Sequence, residues 1–233
     1  MKLSLVIPAH NEEMRITPTL TDYVRFFAAK YEDFEIMIVV DGNDHTDEIV
    51  KEFSKQDSRI KLIKLEERVG KGEAILIGMK SSQGDIIGFV DADNATGPDN
   101  FAKLVDAVES GATCAIGSRR MKNSMITRDQ PLIRKVTSAI FNLYTRIIFR
   151  LDISDTQCGA KAFRQDAIMS VLDNIKIKEY GFDVELLWRL IHAGYEIKEV
   201  PISWRHQALG KFNYFKHGAK MGLDLLLLRL GLK

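Results

Sequence analysis

Short runs of almost uninterrupted apolar residues, each followed by a helical pattern, constrain this chain more than any other feature. Leu3–Pro8 (LSLVIP), Phe34–Asp41 (FEIMIVVD) and Asp85–Asp91 (DIIGFVD) leave little room for polar alternation. A shorter, half-exposed run lies at Ile60–Leu65 and a fifth at Ala112–Gly117. Strands buried on both faces lose the alternation of a half-exposed sheet, so this pattern predicts a parallel sheet covered by helices on both sides. The helices are expected over Asn11–Ala29, from an Asn43 cap to about Lys55, over Gly72–Ser81, and over Asp99–Glu109 with Pro98 at the first helical position. Such sheets bind ligands beyond the carboxyl ends of their strands. Asp41, Asp91 and Asp93 all fall there.

The second half is less regular. Helical patterns cover Leu132–Leu151, Gly181–Ala193 (stopped by Gly194) and Lys211–Leu232, with a loop and short strand over Asp155–Phe163 and a strand over Ile197–Trp204. A chain of 233 residues, 45% of them hydrophobic, can bury one sizeable core. We therefore expect one domain, 1–233, with a ligand-binding half (1–117) and a second half (118–233) extending the same core. Two cysteines without a CxxC spacing argue against a disulfide scaffold or a zinc ribbon and fit reduced thiols in the cytosol. The first apolar run is too short for a secretory signal, and no stretch approaches the roughly 20 apolar residues of a membrane span.

Charge is divided unevenly. Residues 1–114 carry 13 Lys/Arg against 21 Asp/Glu, whereas residues 115–233 carry 20 against 11. An acidic half suits a metal with a neutral base and sugar; a basic half suits phosphates, nucleic acid or an anionic membrane surface.

Asp91-Ala92-Asp93 places two carboxylates where a strand ends, a geometry that can converge on one hard cation such as Mg²⁺ or Mn²⁺. Equally, the triplet can be a capped turn before the Pro98 helix. Pro8-Ala9-His10-Asn11-Glu12 reads as a strand-to-helix turn in which Asn11 can cap, or as one wall of a nucleoside site. Val69-Gly70-Lys71-Gly72 precedes a helix, where close backbone approach and the helix dipole favour an anion. Neither GxGxxG nor GK[ST] occurs, which disfavours dehydrogenase and P-loop readings.

Taken in order, LVIPAHNEE, VVDGNDHTDE, GKGEAILIGM and FVDADNAT resemble the nucleotide-sugar half of a family 2 glycosyltransferase with the GT-A fold. The later DTQCGAKAF and GFDVELLWRL resemble the polyprenyl-phosphate hexosyltransferase branch, the dolichyl-phosphate glucosyltransferases and mannose synthases. The likeness spans roughly residues 3–215. It implies an α/β, Rossmann-like, mostly parallel sheet flanked by helices, with amphipathic helices toward the C-terminus. It implies inverting, metal-dependent transfer of glucose or mannose from UDP-glucose or GDP-mannose to dolichyl or polyprenyl phosphate.

The resemblance also implies roles. Pro8, His10, Glu12 and Asp41 would hold the base and ribose, with Lys71 and Ala92 also lining the donor site. Asp91 and Asp93 would meet the ribose, the diphosphate and the metal. Arg119 would face the donor phosphate or the acceptor, and Arg205 and Lys211 would lie on a loop near the phosphates. Arg134 joins these cations in positioning two anions that repel. Asp183, or Glu185, is the acidic position near the acceptor; its alternative is a carboxylate placed for a helix dipole. Three departures stand out: Val40 replaces the second Asp that many members have before Asp41, Leu209-Gly210-Lys211 replaces Gly-Ser-Lys, and Asn94-Ala95-Thr96 offers no Gln as a third metal ligand.

The acceptor sets the chemistry. A phosphate monoester has its second pKa near 6, so at neutral pH it is already a dianionic nucleophile and a strong general base is unnecessary. Two acid-poor helical patterns, about 131–151 and 211–232, combine an apolar stripe with Arg134, Lys135, Arg146 and Arg150 in one and Lys211, Lys216, Lys220, Arg229 and Lys233 in the other. They are read as interfacial helices on the cytoplasmic face of a membrane, against the alternative of core helices with a solvated basic face. No nucleic-acid reading motif accompanies the charge. Competing functions are a family 2 enzyme acting on a glycan or glycolipid, whose processive polymer synthases usually carry a QxxRW-type motif absent here, and a non-catalytic nucleotide-sugar sensor or peripheral membrane adaptor.

Overall fold

The structure, a computed structural model, describes residues 1–127, 132–205 and 214–232, of which 132–135 and 214–217 by backbone only. The first half alternates as its sequence predicts: β1 Leu3–Ala9, α1 Ile16–Lys30, β2 Phe34–Val40, α2 Thr46–Gln56, β3 Ile60–Lys64, α3 Lys71–Lys80, β4 Ile86–Val90, α4 Pro98–Glu109 and β5 Cys114–Ser118. The second half contributes β6 Met125–Ile126, α5 Leu132–Phe149, β7 Ala160–Arg164, α6 Gln165–Leu172, α7 Phe182–His192, β8 Ile197–Pro201, β9 Ser203–Trp204 and α8 Tyr214–Arg229.

Seven strands form one sheet in the order β3-β2-β1-β4-β7-β5-β8, and β6 pairs with β9 in a small separate ribbon. The neighbours β1–β2, β1–β4, β2–β3 and β5–β8 run parallel. β7 runs antiparallel to both β4 and β5, so the sheet is mostly rather than wholly parallel. Because β1 pairs with β2 on one side and β4 on the other, all three parallel, the order in which strands are added reverses there, and a crevice opens beyond their carboxyl ends.

Strand periodicity explains why both faces are apolar. In β2, Ile36, Ile38 and Val40 face one core with Leu20, Tyr23 and Phe27 of α1 and Phe101 and Leu104 of α4. Met37 and Val39 face the other core with Ile75 and Met79 of α3, Ile168 of α6 and Leu186 and Leu190 of α7. The first core also takes in Ala160, Ala162, Val200, Ile202 and Trp204, so residues of both halves share it. A third cluster joins α5 and α8 to α7 through Phe149, Val184, Met221, Leu225 and Leu228.

Several local expectations change. Asn11 does not cap α1: it takes a left-handed conformation, φ 56°, and its Oδ1 accepts the Asn43 N–H at 2.9 Å, tying two loops together. Asn43 does not cap α2 either. Asp44 Oδ1 instead accepts from the Thr46 N–H (3.1 Å) and the Thr46 hydroxyl (2.6 Å). The run Ile197–Trp204 breaks into β8 and β9, and β6 and α6 lie where the sequence pattern predicts no element. Both cysteines are buried and free, and burial raises each thiol pKa to about 12.

Candidate active site

The turn after β4 builds the centre of the crevice. The Asp91 N–H donates to the Gly159 carbonyl at 3.1 Å, and a Cβ on Gly159 would lie 1.9 Å from Asp91 Oδ2. Only glycine therefore lets β7 approach this carboxylate. The Ala92 carbonyl, buried, accepts from the Thr19 hydroxyl of α1 at 2.8 Å, and Asp93 Oδ1 accepts the Ala95 N–H at 3.0 Å. Asn94 has φ 55°, which turns the chain back.

Asp91 remains partly open to solvent, and the Lys71 Nζ lies 2.6 Å from its Oδ1. Burial pulls the Lys71 pKa down, but Asp91 and Asp183 outweigh it and hold the ammonium above its ordinary value. Burial, with the charge of Asp91 added, raises the Asp93 pKa. Burial also raises Glu12, against the opposing pull of Arg15, whose Nε donates to Glu12 Oε2 at 2.6 Å; Asp93 and Asp91 add to the rise. Glu12, Asp91 and Asp93 thus act on one another across the mouth of the β1–β4 crevice. This is the local charge imbalance a divalent cation relieves.

A second strand end is organised by Asp41. His10 Nδ1 lies 2.9 Å from Asp41 Oδ1, while the Val69 and Gly70 N–H groups donate to Oδ2 at 3.1 and 3.2 Å. The anion held before α3 is thus the protein's own carboxylate. Gly70, at φ 93°, makes that turn possible. The His10 imidazole remains substantially exposed above Asp41, and Pro8 lies on the same strand, β1.

The far wall comes from the DTQCGAK segment. Asp155 accepts from Arg119 through Nε, a terminal guanidinium nitrogen and the backbone N–H, at 2.7, 2.8 and 2.9 Å. Arg119 is thus committed to Asp155 and stacks 5.3 Å from the Trp204 ring centroid, rather than presenting a free fork. Lys161 is fully buried in β7; its Nζ donates to the Cys158 carbonyl at 2.7 Å and to Asp183 Oδ1 at 2.5 Å. Asp183 is thereby held at the start of α7. Glu185, fully buried, accepts the Lys176 and Ile177 N–H groups and pairs with Arg189, a structural assignment. Between these anchors, Thr156 Oγ1 and Gln157 Nε2 are buried without a hydrogen-bond partner, as is Asn94 Oδ1 in the turn after β4. Buried polar atoms of this kind are normally satisfied.

The structure therefore brings together Glu12, Lys71, Asp91, Ala92, Asp93 and Asp183, with Pro8, His10 and Asp41 beside them. The Arg205 backbone N–H donates to the Ala95 carbonyl at 2.9 Å, which sets its exposed side chain next to the same turn. Lys211 and the Arg134 side chain lie outside the described residues. Sequence reasoning missed Gly159, Lys161, Thr156 and Gln157. The DTQCG motif was visible, but its parts had no assigned partners until β7 was placed between β4 and β5.

A metal ion in this crevice would find two hard carboxylates, Asp91 and Asp93. Among the described residues, no group of three or more His, Cys, Asp or Glu side chains is arranged to hold one unaided. Two carboxylates supplemented by water and phosphate oxygens suit Mg²⁺ or Mn²⁺.

Residues 4–172 match the model of the family described as glycosyl transferase family 2. The chain belongs to that family. It is 33% identical over 247 residues to a dolichyl-phosphate beta-glucosyltransferase of Saccharomyces cerevisiae, spanning 98% of this chain and 74% of that one. It is 30% identical over 212 residues to a polyprenol monophosphomannose synthase of Mycolicibacterium smegmatis, spanning 88% and 78%. Against glycosyltransferase AglD of Haloferax volcanii the identity is 31%, over 97% of this chain but only 36% of the relative. A glucosyl-3-phosphoglycerate synthase of Mycobacterium tuberculosis, solved with Mn²⁺, UDP and glucosyl-3-phosphoglycerate, superposes with a TM-score of 0.72 at 20% identity, covering 100% of this chain and 81% of that one. This last likeness establishes the shared fold.

Proposed function

We propose that this protein transfers glucose or mannose from UDP-glucose or GDP-mannose to dolichyl or polyprenyl phosphate, inverting the anomeric carbon and using Mg²⁺ or Mn²⁺. The observation that carries the reading is the paired carboxylates of the β4 turn at the sheet's switch point, in a family 2 chain whose relatives bear these acceptors in their names. The chain acts as a single domain, with 1–117 serving the donor and 118–233 the acceptor.

His10, Glu12 and the Asp41 corner receive the nucleoside at the ends of β1 and β2. Asp91 and Asp93 hold the cation, which when bound supplies Lewis-acid stabilisation of the departing diphosphate. Arg205 and Lys211 orient the anions. Arg119, bound to Asp155, fixes the DTQCG segment and contributes its charge at short range. Asp183 sits at the acceptor side, held as a Lys161 partner. A dianionic acceptor phosphate placed in line needs orientation more than deprotonation.

The acceptor's lipid tail makes a membrane surface the expected workplace. No helix among the described residues is long and apolar enough to cross a membrane. Instead, α5 turns Ile140, Leu143 and Ile147 to solvent, each about 60% exposed or more, and α8 with the residue after it exposes Leu223 and Leu230. Arg146 and Arg150 flank the α5 stripe, and Lys220 is exposed on α8. Apolar area flanked by cations suits shallow insertion into an anionic leaflet. The cytoplasmic face fits two unpaired, buried cysteines.

Calorimetry with UDP-glucose and GDP-mannose, each with and without Mn²⁺, tests the donor assignment. Metal-dependent binding of one of the two is expected; binding of neither would remove the proposal.

A further inference from the structure

The N-terminus of α3 is wedged between the two sides of the crevice. A Cβ on Gly72 would lie 2.6 Å from the Phe182 Cβ and 3.0 Å from the Ile177 carbonyl, and the Glu73 N–H donates to the Lys178 carbonyl at 3.1 Å. Lys71, the first residue of α3, therefore stands between the β4 turn and the start of α7. Its Nζ is 2.6 Å from Asp91 Oδ1, and Asp183 is the second acid whose charge acts on it. Asp91 is also one of the two carboxylates available to a divalent cation. Two cations cannot share that oxygen at contact distance without strong repulsion.

We infer that Lys71 is a built-in place-holder for the metal: its ammonium occupies Asp91 in the empty enzyme and must leave that oxygen when the metal enters, moving to the donor's diphosphate. This deepens the donor-site reading above and rests on it. A metal ion alone would have to evict Lys71 toward Asp183, which already serves Lys161 at 2.5 Å. A metal arriving with a nucleoside diphosphate supplies the anion that Lys71 needs. The arrangement therefore couples the two ligands, so that each binds better in the presence of the other, by the same factor in both directions. The empty enzyme would resist filling its site with metal alone.

The test is Mn²⁺ binding, read by calorimetry and by the electron paramagnetic resonance of free Mn²⁺, with and without UDP and, in parallel, GDP. Lys71→Met and Lys71→Gln are compared with wild type and with Lys71→Arg, and far-UV circular dichroism confirms the fold of each. In the absence of nucleotide, both neutral variants should bind Mn²⁺ about tenfold more tightly than wild type. Their enhancement of Mn²⁺ affinity by nucleotide should shrink by at least the same factor, whereas Lys71→Arg should stay near wild type. Equal or weaker Mn²⁺ affinity in both neutral variants, with nucleotide enhancement intact, overturns the place-holder while leaving the donor site standing. Wild-type protein that binds neither Mn²⁺ nor either nucleotide overturns the donor site, and the place-holder with it.

Discussion

Asp155 accepts three hydrogen bonds from a single residue, Arg119, two through the guanidinium and one through the backbone N–H, at 2.7 to 2.9 Å. Burial alone would raise the Asp155 pKa, but Arg119 overrides it and holds the carboxyl below its usual range. This pair closes the β5 end onto the DTQCG segment and so fixes where Gly159 meets Asp91. Replacing Asp155 by Ala strands a buried guanidinium. The expected loss is about 3–5 kcal/mol of stability, measured by urea unfolding. A loss below 1 kcal/mol would show that the pair is not an anchor.

Gly159 ties the same segment to the chemistry. Gly159→Ala must push Asp91 aside, because the added carbon would fall 1.9 Å from its Oδ2. If Asp91 holds the cation as proposed, turnover should drop about a hundredfold, the scale of an ångström-sized misplacement near the reacting centre. Steady-state kinetics beside a thermal melt separates this from unfolding. Wild-type turnover would mean that the position of Asp91 does not limit the reaction.

Asp93, proposed above as a cation ligand, is disfavoured in its charged form by the fold itself. Burial and Asp91 raise its pKa, so the ionised form is disfavoured in the folded protein. Asp93→Asn should therefore raise the melting temperature of the metal-free protein at pH 7 while lowering turnover by about a hundredfold or more. A lower melting temperature would contradict the electrostatic account.

Acid sensitivity follows most from three other carboxyls, all buried. Burial opposes Glu35 ionisation, but Lys61, Ser4 and the Gln83 N–H outweigh it and lower its pKa; Lys64 and Lys51 bring Asp47 to about 2; Asp155 is lowered by Arg119. Groups with depressed folded pKa values stabilise the protein above the ordinary carboxylate value of about 4 and lose that contribution as pH falls through the folded values. Glu12 and Asp93, both raised, act in the opposite sense: their contribution is present at low pH and fades as pH rises through their folded values. The urea midpoint should fall between pH 5 and 2, because Asp44, Asp57 and Asp166 are lowered as well and the lowered carboxyls outnumber the two raised ones. A midpoint that rises steadily on acidification would reverse the balance.

Much of this architecture was legible in the sequence because buried parallel strands leave so plain a mark. FEIMIVVD and DIIGFVD located β2, β4 and their terminal acids to within a residue. What escaped had physical reasons. β7 is short and begins inside a loop, so nothing local announced that it would run antiparallel through the sheet and carry Lys161 to Asp183. Arg119 looked available for substrate because its partner lies 36 residues away in sequence. Asp183 and Glu185 differ by two residues and share one helix start; only the tertiary packing assigns Glu185 to the Lys176–Ile177 backbone and Asp183 to Lys161. The α5 pattern was apolar at helical spacing, but which stripe faced inward depended on α8: the Tyr144 hydroxyl donates to the Gly222 carbonyl at 2.7 Å, leaving Ile140, Leu143 and Ile147 outside.

That outer stripe gives a membrane prediction. Changing Ile140, Leu143 and Ile147 to Ser should release the protein from anionic vesicles, and changing Arg146, Arg150 and Lys220 to Glu should do so in a salt-sensitive way, at roughly 1 kcal/mol per charge. Flotation measures both. Neither set should impair transfer to a short, water-soluble prenyl phosphate. Wild-type protein that remains unbound beside anionic vesicles at low salt would end the interfacial account.

Transfer of a hexose to a lipid phosphate is tested most directly by its product. Purified protein is incubated with polyprenyl phosphate, Mn²⁺ and either UDP-glucose or GDP-mannose carrying a labelled sugar, and the lipid is extracted and identified by mass spectrometry. Label is expected in a β-linked polyprenyl-phosphate hexose from one of the two donors, and none with Asp93→Asn. Folded, nucleotide-binding protein that labels no lipid phosphate from either donor, or that places the label on a glycan instead, would contradict it.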